Sequence, residues 1–157
     1  MGERFRKTSG VDLKELIEDL KRAYCDEWLA FYAYTYTAQA VSGAGYEDME
    51  EMIKKIASDE LEHQGELADM IIKLGGLPPI HLGEIEKGGN APYPMPPKKT
   101  DDYEGMIKFI MEAEGGAIEV YRKIAKKTLG KEDVVYQLVT HILSEEVTHE
   151  EMMENLK

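Results

Sequence analysis

The sequence predicts an all-α fold, an antiparallel four-helix bundle with one long crossover between its second and third helices. Four segments carry apolar residues at helical spacing, and each is bounded by turn-type residues. No segment alternates apolar and polar residues over the length of a strand. A segment that contains all six prolines of the chain separates the second helical pattern from the third, as a bundle with one crossover requires.

The first two helical patterns predict a helix hairpin. The first runs over about residues 11–42 and the second over about residues 46–74. The short glycine-containing turn 43–45 joins them, so the two helices are expected to lie side by side. Their apolar stripes contain Leu13, Leu16, Ile17, Leu20, Tyr24, Phe31 and Tyr34 in the first helix and Met52, Ile53, Ile56, Leu67, Met70 and Ile71 in the second.

The second half of the chain predicts another hairpin. Residues 77–100, rich in proline and glycine, are expected to form the crossover and no regular helix. The third helix begins near residues 100–102, which suit an N-cap, and reaches Gly130, while the fourth runs from about residue 131 to the chain end. Their stripes contain Met106, Ile107, Ile110, Ala117, Ile118, Tyr121 and Ala125, and then Val135, Leu138, Val139, Ile142, Met153 and Leu156. Residues 1–157 are thus expected to form one domain, with residues 1–10 as an N-terminal extension.

Composition excludes several classes of protein. A length of 157 residues with 43% hydrophobic residues is enough for one continuous core. The formal net charge of -12 argues against nucleic acid as the main partner, because a phosphate backbone requires a basic surface. No apolar run reaches the length of a membrane span, and the first residues lack a signal-peptide pattern. Cys25 is the only cysteine, so no intrachain disulfide or CxxC site is expected, and the predicted location is cytoplasmic.

Ionisable residues lie on all four apolar stripes, where a carboxylate without a partner would be costly to bury. The first and third stripes each pass through one glutamate, and the second and fourth each pass through a Glu-x-x-His pair, whose members share a helix face. Glu145 competes with Glu146, but only Glu146 has the spacing to His149 that Glu60 has to His63. The predicted metal ligands are Glu27, Glu60, His63, Glu114, Glu146 and His149.

The two halves of the chain repeat these positions. Glu27 lies 87 residues before Glu114, and the first Glu-x-x-His lies 86 residues before the second, as two hairpins related by a pseudo-twofold axis would give. Four carboxylates and two imidazoles can bind two metal ions, with one or two carboxylates bridging them, and imidazoles favour transition metals. Taken singly, each glutamate could reach solvent and each histidine could be a hydrogen-bonded core residue. The six together favour a metal site.

Two tyrosines are further candidates for the site. Tyr34 and Tyr121 each lie seven residues beyond a stripe glutamate on the same helix face. Either could donate a hydrogen bond to a ligand carboxylate or supply an electron during oxygen chemistry, with packing as the alternative role. Tyr34 is therefore counted with the six ligands as a catalytic candidate. Cys25 is expected to face elsewhere and to take no part.

This pattern resembles the ferritin-like di-iron carboxylate superfamily, in which helices with one glutamate are combined with Glu-x-x-His helices. The strings 26–32, 60–63, 74–78 and 112–118 resemble bacterioferritins and, more closely, Dps-like proteins with a bacterioferritin-type centre. The resemblance implies two iron ions per subunit, with manganese and zinc as alternatives. It also implies ferroxidase activity, the oxidation of Fe²⁺ by hydrogen peroxide or dioxygen, with iron storage and protection from oxidative stress in a homo-oligomeric shell.

Several departures from these relatives limit the expectation. Leu61 stands where bacterioferritin has its haem-ligating methionine, so no haem is expected. The chain ends eight residues after His149, too few for the fifth helix of 24-subunit ferritins, which favours a dodecamer. Gly116 replaces the third-helix cysteine of relatives with a thiol pair. A rubrerythrin-like peroxidase, a manganese-catalase-like enzyme and a non-catalytic metal-binding bundle remain the alternatives, although full-length rubrerythrins carry a CxxC pair that this chain lacks.

Overall fold

The computed structural model describes residues 3–156 and confirms the predicted all-α four-helix bundle. Four long helices form two hairpins, α2 with α3 and α5 with α6, and two short helices accompany them. The six helices are α1 (Glu3–Thr8), α2 (Leu13–Ala40), α3 (Tyr46–Leu74), α4 (Leu82–Gly88), α5 (Tyr103–Thr128) and α6 (Asp133–Glu154). No helix among the described residues is long and apolar enough to cross a membrane.

The ends of the long helices follow from local chemistry and agree with the predicted bounds to within about one turn. Asp12 caps α2, because its Oδ1 accepts hydrogen bonds from the backbone N–H groups of Lys14 at 2.9 Å and Glu15 at 3.1 Å. Asp102 caps α5 through the backbone N–H of Gly105 at 2.9 Å. Helix α3 ends at Gly75, whose φ of 97° places it in the left-handed region that suits glycine.

Helices α2 and α5 run antiparallel to each other. Lys127, near the end of α5, pairs with Glu15 at the start of α2, with 2.6 Å between Nζ and Oε1. At the other end, the Tyr103 hydroxyl, at the start of α5, donates a hydrogen bond of 2.8 Å to the carbonyl of Ser42, just beyond α2. The two hairpins therefore face each other with α2 beside α5 and α3 beside α6.

The apolar core lies in two clusters along the bundle. One is built around side chains such as Leu20, Ile71 and Val139, and the other around Ile53 and Ile110. Each of these five side chains is 0% exposed. The predicted ligand positions fall between the two clusters along each helix, so a layer of ionisable groups interrupts the core.

Three features differ from the sequence prediction. The crossover was expected to contain no regular helix, but the proline-free stretch 80–91 within it forms α4. Glu84 stabilises the start of α4, because its carboxylate accepts hydrogen bonds from the backbone N–H groups of Ile80 at 2.9 Å and His81 at 3.2 Å. Helix α1 lies in the N-terminal extension, for which no helix was predicted. Leu156, predicted on the buried stripe of the last helix, lies beyond the end of α6 and is 40% exposed.

Asp26 ties the crossover to α2. Its carboxylate accepts hydrogen bonds from the backbone N–H groups of Asn90 at 2.8 Å and Ala91 at 3.4 Å, and from the Asn90 side-chain amide at 2.6 Å. Gly89 passes so close that a Cβ atom there would lie 2.4 Å from Asp26 Oδ1. This clamp fixes the path of the crossover where it passes the residue next to Glu27.

We expect Gly89→Ala to lower the free energy of unfolding by about 1–3 kcal/mol, because the added Cβ must displace the Asp26 carboxylate. Gly83→Ala in α4 is the matched control, since a Cβ there meets no atom of the described chain within 4 Å. Alanine favours the helix by about 0.5–1 kcal/mol at such a position. Urea unfolding of the metal-free proteins measures both changes, and equal midpoints for the two variants would contradict the clamp.

Candidate metal centre

The six predicted ligand side chains meet in the layer between the two apolar clusters. Helices α2 and α5 each contribute one glutamate, and α3 and α6 each contribute a glutamate and a histidine. All six residues are at most 3% exposed. Their ligand atoms form two groups within which every atom lies within 4.8 Å of the others, Glu27, Glu60, His63 and Glu146 in the first and Glu60, Glu114, Glu146 and His149 in the second.

Glu60 and Glu146 belong to both groups, so each could be shared between two cations. His63 Nδ1 lies 3.4 Å from Glu60 Oε2 and 3.1 Å from Glu146 Oε1. His149 Nδ1 lies 3.5 Å from Glu60 Oε1 and 3.9 Å from Glu146 Oε2. Each glutamate thus turns one oxygen toward each histidine, an arrangement that lets one carboxylate contact two neighbouring cations.

Glu27 and Glu114 each belong to one group and are held by a tyrosine from the opposite hairpin. The Tyr34 hydroxyl donates a hydrogen bond of 2.5 Å to Glu114 Oε1, and the Tyr121 hydroxyl donates one to Glu27 Oε1. The other oxygens face the histidines, with Glu114 Oε2 lying 3.1 Å from His149 Nδ1. Burial, together with the neighbouring glutamates, raises the pKa of both tyrosines well above the ordinary value. Both therefore act as neutral donors that orient a carboxylate.

Two carboxylates that the sequence reasoning did not assign to the site lie behind the histidines. His149 Nε2 lies 3.0 Å from Asp59 Oδ2, and His63 Nε2 lies 2.8 Å from Glu145 Oε2. A histidine that donates Nε2–H to a carboxylate presents the lone pair of Nδ1 to the centre of the layer. Asp59 and Glu145 each directly precede a glutamate that belongs to both groups, and they lie 86 residues apart. That repeat is the signal that could have identified them.

The buried charges interact strongly. Burial, together with repulsion from neighbouring glutamates, raises the pKa of Glu60 and of Glu146 well above the ordinary value. Burial alone would lower the pKa of His63, but its contacts with the carboxylates of Glu146, Glu27 and Glu60 raise it. Burial alone would raise the pKa of Glu27, but its contacts with Glu60 and His63 outweigh burial and lower it. With all four glutamates ionised, the layer would hold more negative charge than its two histidines balance, so Glu60 and Glu146 favour the protonated form in the absence of metal.

Three polar atoms of the cluster are buried without a hydrogen-bond partner among residues 3–156, namely Glu60 Oε1, His63 Nδ1 and Glu146 Oε1. His63 Nδ1 and Glu146 Oε1 lie 3.1 Å apart but are not aligned for a hydrogen bond. Unpaired buried atoms are rare in folded proteins and costly. Cations at the two groups would pair all three, and the combination of carboxylate and imidazole donors suits transition metals. The residues present therefore fit two metal ions.

A cavity of about 640 Å³ leads to this cluster between α2, α5 and the crossover. All four glutamates of the cluster border it, and the clamp residues Asp26 and Asn90 lie on its wall. Burial raises the pKa of Asp26 to about 6, although its hydrogen bonds with Asn90 favour the charged form. The cluster is thus approached from the α2–α5 side, while Asp59 and Glu145 support it on the α3–α6 side.

The bundle and its cluster of carboxylates and histidines define a ferritin-like protein, and comparisons with known proteins agree. The ferritin-like domain family matches residues 17–157. The chain belongs to the ferritin-like family. It is 30% identical over 153 residues to the DNA protection during starvation protein of Pyrococcus furiosus, covering 98% of this chain and 82% of that one.

Solved structures give the same result. The dodecameric thioferritin of Bacteroides fragilis, a bacterioferritin-related protein, is 32% identical with a TM-score of 0.89 over 93% of this chain and 86% of that chain. The ferritin-like di-iron carboxylate proteins of Bacillus anthracis are 25% identical with a TM-score of 0.77 over 92% of this chain and 96% of theirs. The predicted resemblance to Dps-like and bacterioferritin-like proteins is confirmed.

Proposed function

We propose that this protein is a ferroxidase that oxidises Fe²⁺ with hydrogen peroxide or dioxygen at a di-iron site. The observation that carries the proposal is the pair of glutamates, Glu60 and Glu146, that face both histidines while each keeps an unpaired buried oxygen. Two cations held by shared carboxylates can deliver two electrons together. Reduction of peroxide by two electrons avoids the release of radicals, which suits protection from oxidative stress.

Each residue of the site has a role in this proposal. Glu27 and His63 would complete one iron site, and Glu114 and His149 the other, with Glu60 and Glu146 shared. The Tyr34 and Tyr121 hydroxyls hold the two unshared carboxylates in place, and Tyr34 is also the candidate to supply an electron. The cavity gives Fe²⁺ and the oxidant access to the glutamates without crossing either apolar cluster. Manganese and zinc are the alternative metals for the same donor set.

The assembly is also part of the proposal. We propose a homo-oligomeric shell, with a dodecamer favoured, in which ferric iron is stored. Support comes from the Bacteroides fragilis protein, which is described as dodecameric, and from the Pyrococcus furiosus relative, which is named for protection during starvation. The net charge of -12 gives no support for direct binding of nucleic acid. A cytoplasmic location, with no membrane partner and no haem, completes the proposal.

The test adds anaerobic Fe²⁺ to metal-free protein and then compares peroxide with dioxygen, following ferric absorbance and particle size. We expect a fast phase of about two Fe²⁺ per subunit, as a di-iron bundle requires, on a large oligomer. Slow oxidation on a small oligomer, unchanged by Glu60→Ala, would overturn the proposal. Release of dioxygen from peroxide by manganese-loaded protein would favour the catalase-like alternative, and tight zinc binding without iron oxidation would favour the non-catalytic one.

The carboxylates behind the histidines give a separate prediction. We expect Asp59→Asn and Glu145→Gln each to lower the affinity for one metal ion by about 10–100-fold, because the histidine loses the acceptor that orients it. Titration with Co²⁺, followed by its visible absorption, measures both sites. Glu62→Gln, at an exposed position on α3, is the control and should leave both affinities within about twofold of the parent. Unchanged Co²⁺ binding in the Asp59 and Glu145 variants would contradict the role assigned to them.

A further inference from the structure

The cavity is much larger than the proposed oxidants require. Its volume of about 640 Å³ lies within the range of about 300–1,000 Å³ that small-molecule sites occupy. A water molecule takes about 30 Å³ of liquid volume, and hydrogen peroxide and dioxygen are of similar size. Access for these oxidants alone therefore leaves most of the cavity unexplained.

The chemistry of the cavity changes from its walls to its inner end. Apolar side chains form most of the walls, including Leu29, Ala30, Met95, Phe109 and Val120, and the exposed charged residues Glu112, Glu119 and Lys123 also line it. The inner end carries the four buried glutamates of the metal cluster. Such a site suits a molecule with an apolar body and one polar group that reaches the metals, because each part meets a matching environment.

Gly116 contributes to the width of this cavity. It borders the cavity on α5, about one helical turn from the lining residues Ala113 and Val120. A Cβ atom placed on it would meet no described atom within 4 Å. Glycine in the middle of a helix costs about 1 kcal/mol relative to alanine, so this position is not explained by helix stability. Gly116 is exposed, so it lies at the open edge of the cavity, where a large side chain would narrow the mouth.

We propose that the site also reduces organic hydroperoxides with a compact apolar substituent, which binds against the cavity walls. This inference rests on the proposed ferroxidase function. In the reaction ROOH + 2 Fe²⁺ + 2 H⁺ → ROH + H₂O + 2 Fe³⁺, the O–O bond breaks, and each Fe²⁺ gives one electron. Two protons from solvent complete the alcohol and the water. The cavity walls select the substituent, and the cluster holds the peroxide group.

The first test measures binding to metal-free protein, independently of any oxidation. The probe is 2-phenyl-2-propanol, the alcohol product from cumene hydroperoxide, observed by saturation-transfer NMR. We expect saturation transfer with the parent protein and weaker transfer with Gly116→Phe, whose ring would narrow the mouth of the cavity. Gly65→Phe is the matched control, because Gly65 is a mid-helix glycine of α3 that has equally open surroundings and does not border the cavity. No transfer with the parent, or equal transfer with Gly116→Phe, would overturn the proposal.

The second test compares cumene hydroperoxide with hydrogen peroxide as oxidants for Fe²⁺-loaded protein. We expect Gly116→Phe to lower the rate with cumene hydroperoxide by about tenfold or more relative to the rate with hydrogen peroxide, since small changes in an apolar pocket give discrimination of this order. Gly116→Ala and Gly65→Phe should keep the parental ratio. If both oxidants act at the same ratio in every variant, the cavity does not select the substituent and the proposal fails.

Product analysis distinguishes the two proposals. Two-electron reduction gives 2-phenyl-2-propanol, whereas one-electron reduction in solution gives acetophenone through an alkoxyl radical. Alcohol formed with two Fe²⁺ consumed per hydroperoxide supports the inference. Acetophenone as the main product, while hydrogen peroxide still oxidises bound Fe²⁺ rapidly, overturns the inference and leaves the ferroxidase intact. If neither oxidant reacts rapidly, the ferroxidase proposal itself fails, even where the alcohol binds the metal-free cavity.

Discussion

Glu146→Gln is expected to remove the fast phase of Fe²⁺ oxidation, lowering its rate by about 100-fold or more. Substitution of a residue that only orients a ligand lowers metal affinity or activity by about 10–100-fold. Glu146 directly faces both histidines, with 3.1 Å between its Oε1 and His63 Nδ1 and 3.9 Å between its Oε2 and His149 Nδ1. An amide keeps the shape of this side chain but removes the charge that both metal ions would share in the proposed site.

The same substitution should stabilise the metal-free protein. Burial, with repulsion from Glu60 and Glu114, raises the pKa of Glu146, so its carboxylate is a destabilising element of the metal-free fold. The glutamine amide can donate to Glu60, whose Oε1 lacks a partner. We expect an increase of about 1–3 kcal/mol in the free energy of unfolding, the range associated with an unsatisfied buried group.

Thermal unfolding with a chelator and with Co²⁺ measures the stability of each protein without and with metal. The parent should gain much of its stability from the metal, whereas Glu146→Gln should begin higher and gain little. Glu151→Gln, on the same helix but exposed, is the control and should behave like the parent. A lower midpoint for metal-free Glu146→Gln would mean that this carboxylate supports the fold without metal, contrary to the electrostatics described above.

The four long helices could be predicted because each carries several turns of apolar periodicity and ends in local chemistry that the sequence shows directly. Asp12 and Asp102 act as the caps of α2 and α5 that their positions suggest. The short helices carry too little of this signal. Helix α1 buries no residue and α4 buries only Ile85. Their positions depend on contacts with the bundle, which no local pattern encodes.

The six candidate ligands could be predicted because charged residues on an apolar stripe need a partner, and the pattern recurs in both halves. Asp59 and Glu145 were missed because they stand beside the stripe and act across the bundle on a histidine of the opposite hairpin. Their side chains are 22% and 42% exposed, so the extent of burial does not indicate that they support a histidine. The cavity depends on the path of the crossover, which Asp26 fixes through contacts 64 and 65 residues away in sequence.

The metal-free protein is expected to lose stability as pH rises from about 6 to about 9, against the ordinary behaviour of an acidic protein whose carboxylates are paired. Burial and repulsion raise the pKa of Glu60 and Glu146 well above the ordinary value. Burial alone would lower the pKa of His63 and His149, but contacts with carboxylates outweigh burial and raise it. A group with a raised pKa in the folded state contributes stability at low pH and loses it as pH rises through that pKa.

Glu27 has the opposite sign but acts in a different range. Contacts with Glu60 and His63 lower its pKa despite burial, so its contribution is present above the ordinary pKa of a glutamate and is lost only as pH falls below it. Between pH 6 and 9, Glu27 is charged in both folded and unfolded chains, so it gives no slope there. The four groups with raised pKa values therefore decide the sign.

Bound metal should reverse the dependence of stability on pH. The ligands bind metal in their deprotonated forms, so protons compete with the metal and its stabilising effect grows as pH rises. Thermal unfolding at about pH 6, 7.5 and 9 with a chelator should show falling midpoints, while the gain on adding Co²⁺ should increase. The double variant Glu60→Gln with Glu146→Gln removes two of the raised groups and should flatten the metal-free curve. Midpoints that stay level or rise in the metal-free parent would show that the cluster does not hold its protons, and would contradict the raised pKa values of Glu60 and Glu146.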